Sequence, residues 1–280
     1  MDGVLIVDKP IGKTSFDIIR EVRKEYNTKK VGHIGTLDPL ASGVLPVLVG
    51  QTTKLSNYLM EHDKEYIATL SLGKQTNTGD SEGSIIKEMP VSDDLLDSTN
   101  IQKGLNIFLG ESFQIPPMYS AIKINGKKLY ELAREGKTID RKPRKINISS
   151  IELLDVNSSL CEFTFKVTCS KGTYIRTLCE DIASKLDSCG YMKSLQRTRV
   201  GNFKIENAGS FIELENIFEN IPKINVKNFD KYKNGMSIPL DNSIVNIHSG
   251  FGNAYLDNKY IGLCKIKNGY YKRFIIVNPQ

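Results

Sequence analysis

The sequence predicts an α+β fold with a small β-rich region at its C-terminal end. Apolar runs of strand length are separated by segments in which apolar residues recur at helical spacing. The strand-like runs cover residues 3–8, 64–72, 145–156 and 160–170. Beyond about residue 223 no helical spacing survives. Short apolar runs there alternate with turn dipeptides such as Asn268-Gly269, a pattern typical of a small β-domain.

Composition and charge are compatible with a nucleic-acid partner without requiring one. The chain has 280 residues, enough for one large domain and a small one, and its net charge is +6. Residues 123–145 contain nine Lys or Arg and three Asp or Glu, so the other 257 residues sum to zero. On this count the basic excess lies in one segment.

Cysteine usage and hydropathy exclude several classes of protein. Five cysteines, odd in number and without a CxxC pair, indicate reduced thiols, not a disulfide framework or a zinc site. No stretch approaches 18 apolar residues, and the first apolar run is broken at Asp8, so we expect neither a membrane span nor a signal peptide. These features predict a cytoplasmic protein.

The N-terminal strand leads through residues 9–15 into a helix. Thr14 and Asp17 have the spacing of a capping box, and apolar side chains then repeat at helical spacing. These are Phe16, Ile18, Ile19 and Val22. The string Lys-Pro-x-Gly-x-Thr-Ser in residues 9–15 superficially resembles a phosphate loop. It lacks the GxxxxGK[ST] spacing, which excludes a nucleoside-triphosphate site of that kind.

Residues 31–45 hold the most unusual local chemistry of the chain. Three glycines surround one His, one Thr and one Asp, and Pro39 restricts Asp38 to an extended or turn conformation. A loop that holds a carboxylate at a fixed angle, ahead of the apolar run 44–49, fits this pattern. An ordinary Asp-Pro turn, with His33 in the core, fits the residue types equally well.

Helical spacing elsewhere is interrupted by loops and turns. Helices are predicted at residues 51–60, 92–106, 127–134 and 178–186, and a long polar loop at 73–90. Asn125-Gly126 signals a tight turn. The first of these helices directs Leu55, Tyr58 and Leu59 toward the core. The strand before the polar loop places Tyr66 on its apolar face, where a tyrosine is normally plain core.

Two further features have both a functional and a structural interpretation. The charge of the basic segment is mostly of one sign, with Tyr119 and Tyr130 interleaved, which fits an RNA-facing element; a solvated surface also fits. Arg176 lies near a helix start, where the helix dipole disfavours a cation. A buried carboxylate partner would remove that cost.

Motifs in five places resemble those of one family. His33-x-Gly35-Thr36-Leu37-Asp38-Pro39-x-Ala41-x-Gly43 resembles the catalytic signature of the bacterial tRNA pseudouridine-55 synthases. The other matches are the string in residues 9–15, the run 73–80 with Asn77 in place of Asp, Gly-Thr-Tyr-Ile-Arg at 172–176, and residues 193–203 with Asn202 in place of a common Pro. The resemblance spans residues 3–203.

The resemblance implies a domain plan. Residues 1–222 would form a catalytic domain with a large mixed or antiparallel sheet and flanking helices. Residues 118–145 would be a basic, thumb-like insertion that grips RNA, and residues 223–280 a small PUA-like β-domain. The string in residues 9–15 would support the Asp38 loop.

The resemblance also implies an activity, the isomerisation of uridine 55 in the T loop of tRNA, without cofactor or metal. Asp38 would be the catalytic carboxylate, as nucleophile or as base, a choice the sequence leaves open. Arg176 would pair with it, Tyr66 would flank the flipped base, Tyr174 would back the site and Leu195 would line the pocket. The residues expected to contact RNA are His33, near the RNA entry, and Lys123, Lys127, Lys128, Arg134 and Arg141.

The expected partner is the T stem-loop of tRNA, with no membrane and no required protein partner, and the chain is expected to be a monomer. Two alternatives remain. A sister enzyme acting on ribosomal RNA or dependent on a guide RNA would share the fold and Asp38. A tRNA-folding helper with secondary catalysis would share the RNA-binding surface.

Overall fold

The computed structural model describes residues 1–124, 126–218, 220–241 and 249–277. Its first elements are β1 (Gly3–Lys9), α1 (Ser15–Glu25), β2 (Val31–His33), β3 (Ser42–Val49), α2 (Ser56–Leu59), β4 (Lys64–Leu72), β5 (Lys74–Thr76), β6 (Ile85–Glu88), α3 (Ser98–Asn106), β7 (Gly110–Gln114), β8 (Lys123–Ile124), β9 (Lys127–Lys128) and α4 (Leu129–Arg134). The chain continues with β10 (Arg144–Asn157), β11 (Glu162–Cys169), α5 (Ile175–Lys185), β12 (Gly190–Val200), β13 (Phe203–Lys204), β14 (Phe211–Glu213), β15 (Lys223–Asn225), α6 (Phe229–Lys233), β16 (Ile238–Pro239), β17 (Ser249–Leu256), β18 (Lys259–Lys267) and β19 (Tyr270–Ile276).

One large mixed sheet carries the elements around Asp38. Its order is β14-β1-β3-β12-β4-β11-β10-β7, with β2 beside β3 and β13 beside β12. The β12–β3 pair is parallel and the other neighbours are antiparallel. Arg197 of β12 lies opposite Gly43 of β3 on one side and Tyr66 of β4 on the other. The middle of the sheet therefore brings together three motifs that are far apart in sequence.

Gly43 is required where β3 meets β12. A Cβ at this position would lie 2.1 Å from the backbone oxygen of Arg197, and its φ is +105°. Any side chain would therefore clash with backbone in a conformation that L residues rarely adopt. The glycine lets the Asp38 loop run directly into the sheet.

Helices bury their apolar faces against this sheet. From α5, Leu178, Cys179 and Ile182 join the core formed with β4 and β11, and Ile101 and Leu105 of α3 extend it. Helix α1 packs elsewhere, with Ile18, Ile19 and Val22 in a cluster with residues of β1 and β3. Its predicted capping box is confirmed, because Thr14 and Asp17 bond each other's backbone N–H.

A second sheet, ordered β15-β17-β18-β19-β16, follows near the C-terminal end. Leu263 and Ile275 share a core cluster with Leu55 from the first part of the chain. The ring of Tyr58 meets that of Phe251 edge-on, with centroids 4.9 Å apart. The predicted fold class, α+β with a large mixed sheet and a C-terminal β-rich region, is confirmed.

The prediction of one helix over residues 51–60 was wrong in part. A 3₁₀ helix covers Gly50–Leu55, and the short α2 follows. Leu55 and Leu59 are buried as predicted, but Tyr58 is 39% exposed because its ring packs against the second sheet instead of the first core.

Other predicted boundaries also moved. The region 73–90, predicted as a loop, contains the hairpin β5–β6. The C-terminal region, predicted to have no helix, contains α6, which is too short for apolar residues at helical spacing to be recognised in the sequence. The predicted helices at 92–106 and 127–134 are present in shortened form as α3 and α4.

Asn125 of the predicted turn lies outside the described residues. Within the described ranges, no helix is long and apolar enough to cross a membrane.

Candidate active site

The Asp38 loop, residues 34–41 between β2 and β3, is fastened by backbone hydrogen bonds. The buried hydroxyl of Ser15 donates to the carbonyl of Leu37 at 3.0 Å and accepts from its N–H at 2.9 Å. The N–H of Gly12 donates to the carbonyl of Pro39 at 2.8 Å. The first residue of α1 and the segment before it thus hold the residues on both sides of Asp38.

A buried cation supports the loop from below. Lys9 is fully buried, and its Nζ donates to the carbonyls of Pro10 at 2.9 Å, Lys13 at 2.7 Å and Pro39 at 3.5 Å. Burial lowers the pKa of Lys9, and the charge of Asp38 opposes that change. Its bonds to backbone carbonyls offset part of the cost of burying the charge.

Arg197 supports the opposite side of the loop and is 1% exposed. Its Nε donates to the carbonyl of Val44 at 2.7 Å, its Nη2 to that of Gly35 at 3.1 Å and its Nη1 to that of Thr36 at 3.4 Å. One guanidinium of β12 therefore ties the start of the Asp38 loop to β3.

Asp38 itself is accessible and paired. Its Oδ2 lies 3.0 Å from Nη2 of Arg176, and its side chain is 40% exposed while that of Arg176 is 8% exposed. The Arg176 fork also donates to the carbonyl of Tyr119 at 2.7 Å and to that of Thr78 at 3.1 Å. An arginine held on several sides presents a fixed donor to a carboxylate that solvent and a ligand can reach.

Asp80 is a second carboxylate on the same guanidinium. Its Oδ2 lies 3.4 Å from Nη1 of Arg176, and its side chain is 6% exposed. Asp80 is held in turn, because its Oδ1 accepts from the Thr78 hydroxyl at 2.5 Å and from the N–H of Glu82 at 3.1 Å. Two carboxylates on one arginine satisfy the buried cation near the start of α5, where the helix dipole disfavours it.

Tyr66 and Leu195 lie on neighbouring strands beside the loop. They are 7% and 9% exposed and share a core cluster with Leu37 and Leu40. Burial raises the pKa of Tyr66, and the nearby charge of Arg197 opposes this.

Tyr174 precedes α5 and is clamped by a side chain of β7. The Gln114 amide is 4% exposed; its oxygen accepts from the N–H of Tyr174 at 2.8 Å, and its nitrogen donates to the Tyr174 carbonyl at 3.1 Å. Burial raises the pKa of the Tyr174 phenol, and the positive charges of Arg144 and Arg176 oppose this. The backbone before Arg176 is therefore fixed.

His33 and the basic residues lie around this centre. His33 ends β2 and is partly buried, and burial lowers its pKa. The predicted RNA-contacting residues of segment 123–145 are exposed or partly buried. The ring of Tyr130 lies 5.2 Å from Nζ of Lys128 and 5.5 Å from the guanidinium of Arg134.

The basic segment is also connected to the site. The carbonyl of Tyr119, just before it, accepts a hydrogen bond from Arg176, and the N–H of Tyr130 donates to the carbonyl of Ser120 at 3.1 Å. The expectation that the basic excess lies in one segment was wrong. Residues 223–280 form a second basic region, with nine Lys or Arg and three Asp or Glu, so the rest of the chain outside both regions is acidic.

Sequence reasoning gave no role to several residues of this site. Asp80 lies in the run 73–80 and Arg197 in the run 193–203, both of which match family motifs. Membership of those motifs was the one sequence feature that could have indicated a role for these two residues. Their contacts with Arg176 and the Asp38 loop depend on the fold and could not be read from spacing. Among the described residues, no cluster of His, Cys, Asp and Glu could hold a metal ion.

Comparison with known proteins places the chain in a family. Residues 23–175 match the model of the TruB family pseudouridylate synthase N-terminal domain, and residues 176–232 that of the tRNA pseudouridylate synthase B C-terminal domain. The tRNA pseudouridine synthase B of Clostridium kluyveri is 45% identical over 289 residues, covering 97% of this chain and 98% of the relative. That of Clostridium novyi is 51% identical over 208 residues, covering 74% and 70%.

Solved structures agree with this assignment. A Cbf5-Nop10-Gar1 complex contains a chain that matches with a TM-score of 0.66 at 26% identity, covering 95% of this chain and 78% of that one. An archaeal box H/ACA sRNP Nop10-Cbf5 complex matches in fold with a TM-score of 0.64 at 23% identity, covering 99% and 85%. The chain therefore belongs to the TruB family of pseudouridylate synthases, isomerases that convert uridine to pseudouridine.

Proposed function

We propose that the chain isomerises uridine 55 in the T loop of tRNA, with Asp38 as the catalytic carboxylate. The observation that carries the proposal is the Asp38–Arg176 pair, in which a reachable carboxylate is held 3.0 Å from a buried arginine. The names of the relatives from Clostridium support tRNA as the substrate. The T stem-loop is the part of the tRNA expected to bind.

The reaction needs no net redox change. The N1–C1′ bond breaks, the base turns, and C5 bonds C1′; C5 loses a proton and N1 gains one. A carboxylate at the position of Asp38 can attack C1′ or remove a proton from the sugar, and both routes require its charged form. Paired carboxylates as in most glycosidases are unnecessary, because the base is recaptured and no water takes its place.

Arg176 orients Asp38, and Asp80 orients Arg176. Each Nη atom of the fork faces one carboxylate, and the carbonyls of Thr78 and Tyr119 fix its plane. A planar, bidentate group suits this arrangement better than a point charge. In this role Asp80 is a positioning residue, with a side chain too buried to meet the RNA.

The target uridine must leave its stack to reach Asp38, at a cost of a few kcal/mol. Tyr66 would flank the flipped base, Leu195 would line the pocket, and Tyr174 would back it. Because Tyr66 is only 7% exposed in the free protein, the base must displace neighbouring side chains to reach its ring. His33, at the end of β2, would assist at the RNA entry.

The cations of residues 118–145 would hold the T stem-loop phosphates, chiefly through the exposed Lys123, Lys127 and Arg134 and the partly buried Lys128 and Arg141. The chain would divide near residue 222, where the strands of the large sheet end and those of the second sheet begin, into a catalytic domain and a PUA-like domain. It would act as a cytoplasmic monomer.

The direct test is to map pseudouridine in tRNA transcripts after incubation with purified protein. We expect one new pseudouridine at position 55 of a wild-type transcript and none in a transcript with cytidine there. Modification elsewhere in tRNA, or only in ribosomal RNA, would contradict the assignment. A tRNA-folding helper would improve tRNA folding to the same extent after Asp38→Asn, so that variant separates binding from chemistry.

A further inference from the structure

Phe16 is exposed, unlike the other apolar residues of α1 that the sequence placed at helical spacing. Ile18, Ile19 and Val22 are 3% exposed, whereas Phe16, about 200° around the helix from Ile18, is 57% exposed. Its neighbour in sequence, Ser15, points inward to the Asp38 loop. The helix start therefore fastens the loop with one residue and presents an aromatic ring to solvent with the next.

Two guanidinium groups lie near this ring. Those of Arg20 and Arg23, four and seven residues further along the helix, each lie 5.8 Å from the Phe16 ring centroid. The Arg20 side chain is 66% exposed, although it also pairs with Asp17. Ile11, 69% exposed, and Lys13 precede the ring in the chain.

The surroundings are basic. Residues 9–30 contain seven Lys or Arg and three Asp or Glu. An isolated exposed apolar side chain needs no explanation. An exposed aromatic ring beside guanidinium groups, in a basic stretch, has the chemistry by which proteins stack single-stranded bases and neutralise adjacent phosphates.

The start of α1, which carries the ring, is bonded to the Asp38 loop. The Cα atoms of Phe16 and Ser15 are about 3.8 Å apart, and the Ser15 hydroxyl touches the backbone of Leu37, the residue before Asp38. Gly12, three residues before Ser15, holds Pro39, the residue after Asp38. The ring therefore belongs to the residue next to a direct contact with the Asp38 loop, on the side of the molecule where RNA would approach Asp38.

We propose that Phe16, with Arg20 and Arg23, is a stacking platform for an unpaired nucleotide of the RNA next to the target uridine. The platform rests on the proposed RNA substrate and adds a contact outside the basic segment 123–145. It predicts that Phe16→Ala weakens RNA binding roughly tenfold. The rate at saturating RNA should stay near wild type, because Asp38 and Arg176 are untouched.

The sequence contains no tryptophan, so a single substitution creates a specific optical probe. Phe16→Trp should retain affinity, and its emission should be strongly quenched when a full-length tRNA transcript or an isolated T stem-loop RNA binds. Leu160→Trp is the matched control. Leu160 is 54% exposed beside the end of β11 distant from Tyr66, and the emission of this control should barely change.

Binding is followed independently by the anisotropy of labelled RNA. Saturable binding without quenching of the Phe16→Trp variant would overturn the platform while leaving the proposed function intact. Emission that changes with protein concentration in the absence of RNA would instead show that a second copy covers the ring, and would also overturn it. Failure of both binding and modification would refute the proposed function.

The affinity series provides a second test. Phe16→Ala should weaken RNA binding, whereas Phe16→Tyr, which keeps an aromatic ring, should bind RNA about as tightly as the wild type. The melting temperature of both variants should hardly change, because the ring is exposed. Equal affinities for all three proteins would refute the stacking role. A lowered melting temperature with unchanged affinity would assign Phe16 a purely structural role and likewise refute it.

Discussion

The Asp38 loop and the basic segment 123–145 are built in opposite ways. The loop is held by Ser15, Lys9 and Arg197, all buried and bonded to its backbone. The basic segment has its cations in solvent and contributes few buried apolar side chains, among them Leu129 and Leu132. Catalysis requires the carboxylate to be positioned within a fraction of an ångström of the reacting atoms. Electrostatic binding of phosphates depends less on exact geometry and therefore tolerates motion of the cations.

The largest expected effect is on the rigid side of this comparison. Asp38→Asn keeps the shape of the side chain and removes its charge, so pseudouridine formation should be abolished. The Kd for tRNA should remain near wild type, because the variant leaves the basic segment intact. Tritium release from tRNA labelled at C5 of uridine measures the first quantity and filter binding the second. Release above a few per cent of wild type would remove Asp38 from the chemistry.

Arg176→Lys should be nearly as damaging. Lysine keeps the charge but cannot face Asp38 and Asp80 with one planar fork. We expect the single-turnover rate to fall by well over tenfold. A tenfold loss alone corresponds to an increase of about 1.4 kcal/mol in the activation free energy. Asp80→Asn should give a smaller loss in the same rate. A reduction of less than tenfold for Arg176→Lys would show that the fork does not orient Asp38.

Arg197→Met tests the support of the loop. Removing its donors leaves buried carbonyls unpaired, so the free energy of unfolding should fall by about 2–4 kcal/mol. The single-turnover rate at a temperature where the variant is folded should fall at least tenfold. Lys64→Met is the matched control, since this buried lysine donates to the carbonyls of Met60 and His62, outside the loop. Comparable rate losses in both variants would mean that Arg197 acts only through stability.

The salt dependence of RNA affinity tests the exposed basic segment. Neutralising Lys127, Lys128, Arg134 and Arg141 together should flatten the slope of log affinity against log salt by about two to four units. The rate at saturating tRNA should fall much less. A control variant neutralises four exposed lysines outside the segment, Lys74, Lys87, Lys103 and Lys185. Identical slopes for the two variants would show that the RNA is held elsewhere, with residues 223–280 the next candidate.

The smallest expected effect concerns His33. Burial lowers its pKa, so below about pH 6.5, the ordinary histidine value, the unfolded chain binds a proton that the folded chain does not. The free energy of unfolding should therefore decline as pH falls below that value. His33→Gln should make the decline shallower in denaturant titrations between pH 5 and 7. An unchanged decline would indicate that His33 is readily protonated in the folded protein.

The sequence was most informative where local chemistry decides structure. The capping box at Thr14 and the strands β1, β4, β10 and β11 of the large sheet follow from residue types and spacing within a few positions, whereas β12, in the middle of that sheet, was not predicted. The Asp38–Arg176 pairing joins residues far apart in sequence, and only the family resemblance suggested it. The partners Asp80 and Arg197 required the fold itself, because strand order decides which carbonyls and carboxylates meet. Phe16 fitted the helical spacing but lies outside the core, since spacing alone does not set how wide a helix's buried face is.

One side-by-side measurement tests the division between the fixed catalytic loop and the exposed RNA grip most directly. Single-turnover rates and tRNA affinities are determined at several salt concentrations for Asp38→Asn and for the quadruple variant of the basic segment. We predict that Asp38→Asn loses the rate and keeps the affinity and its salt slope, while the quadruple variant keeps most of the rate and loses affinity and slope. Loss of the same parameter in both variants would contradict this division.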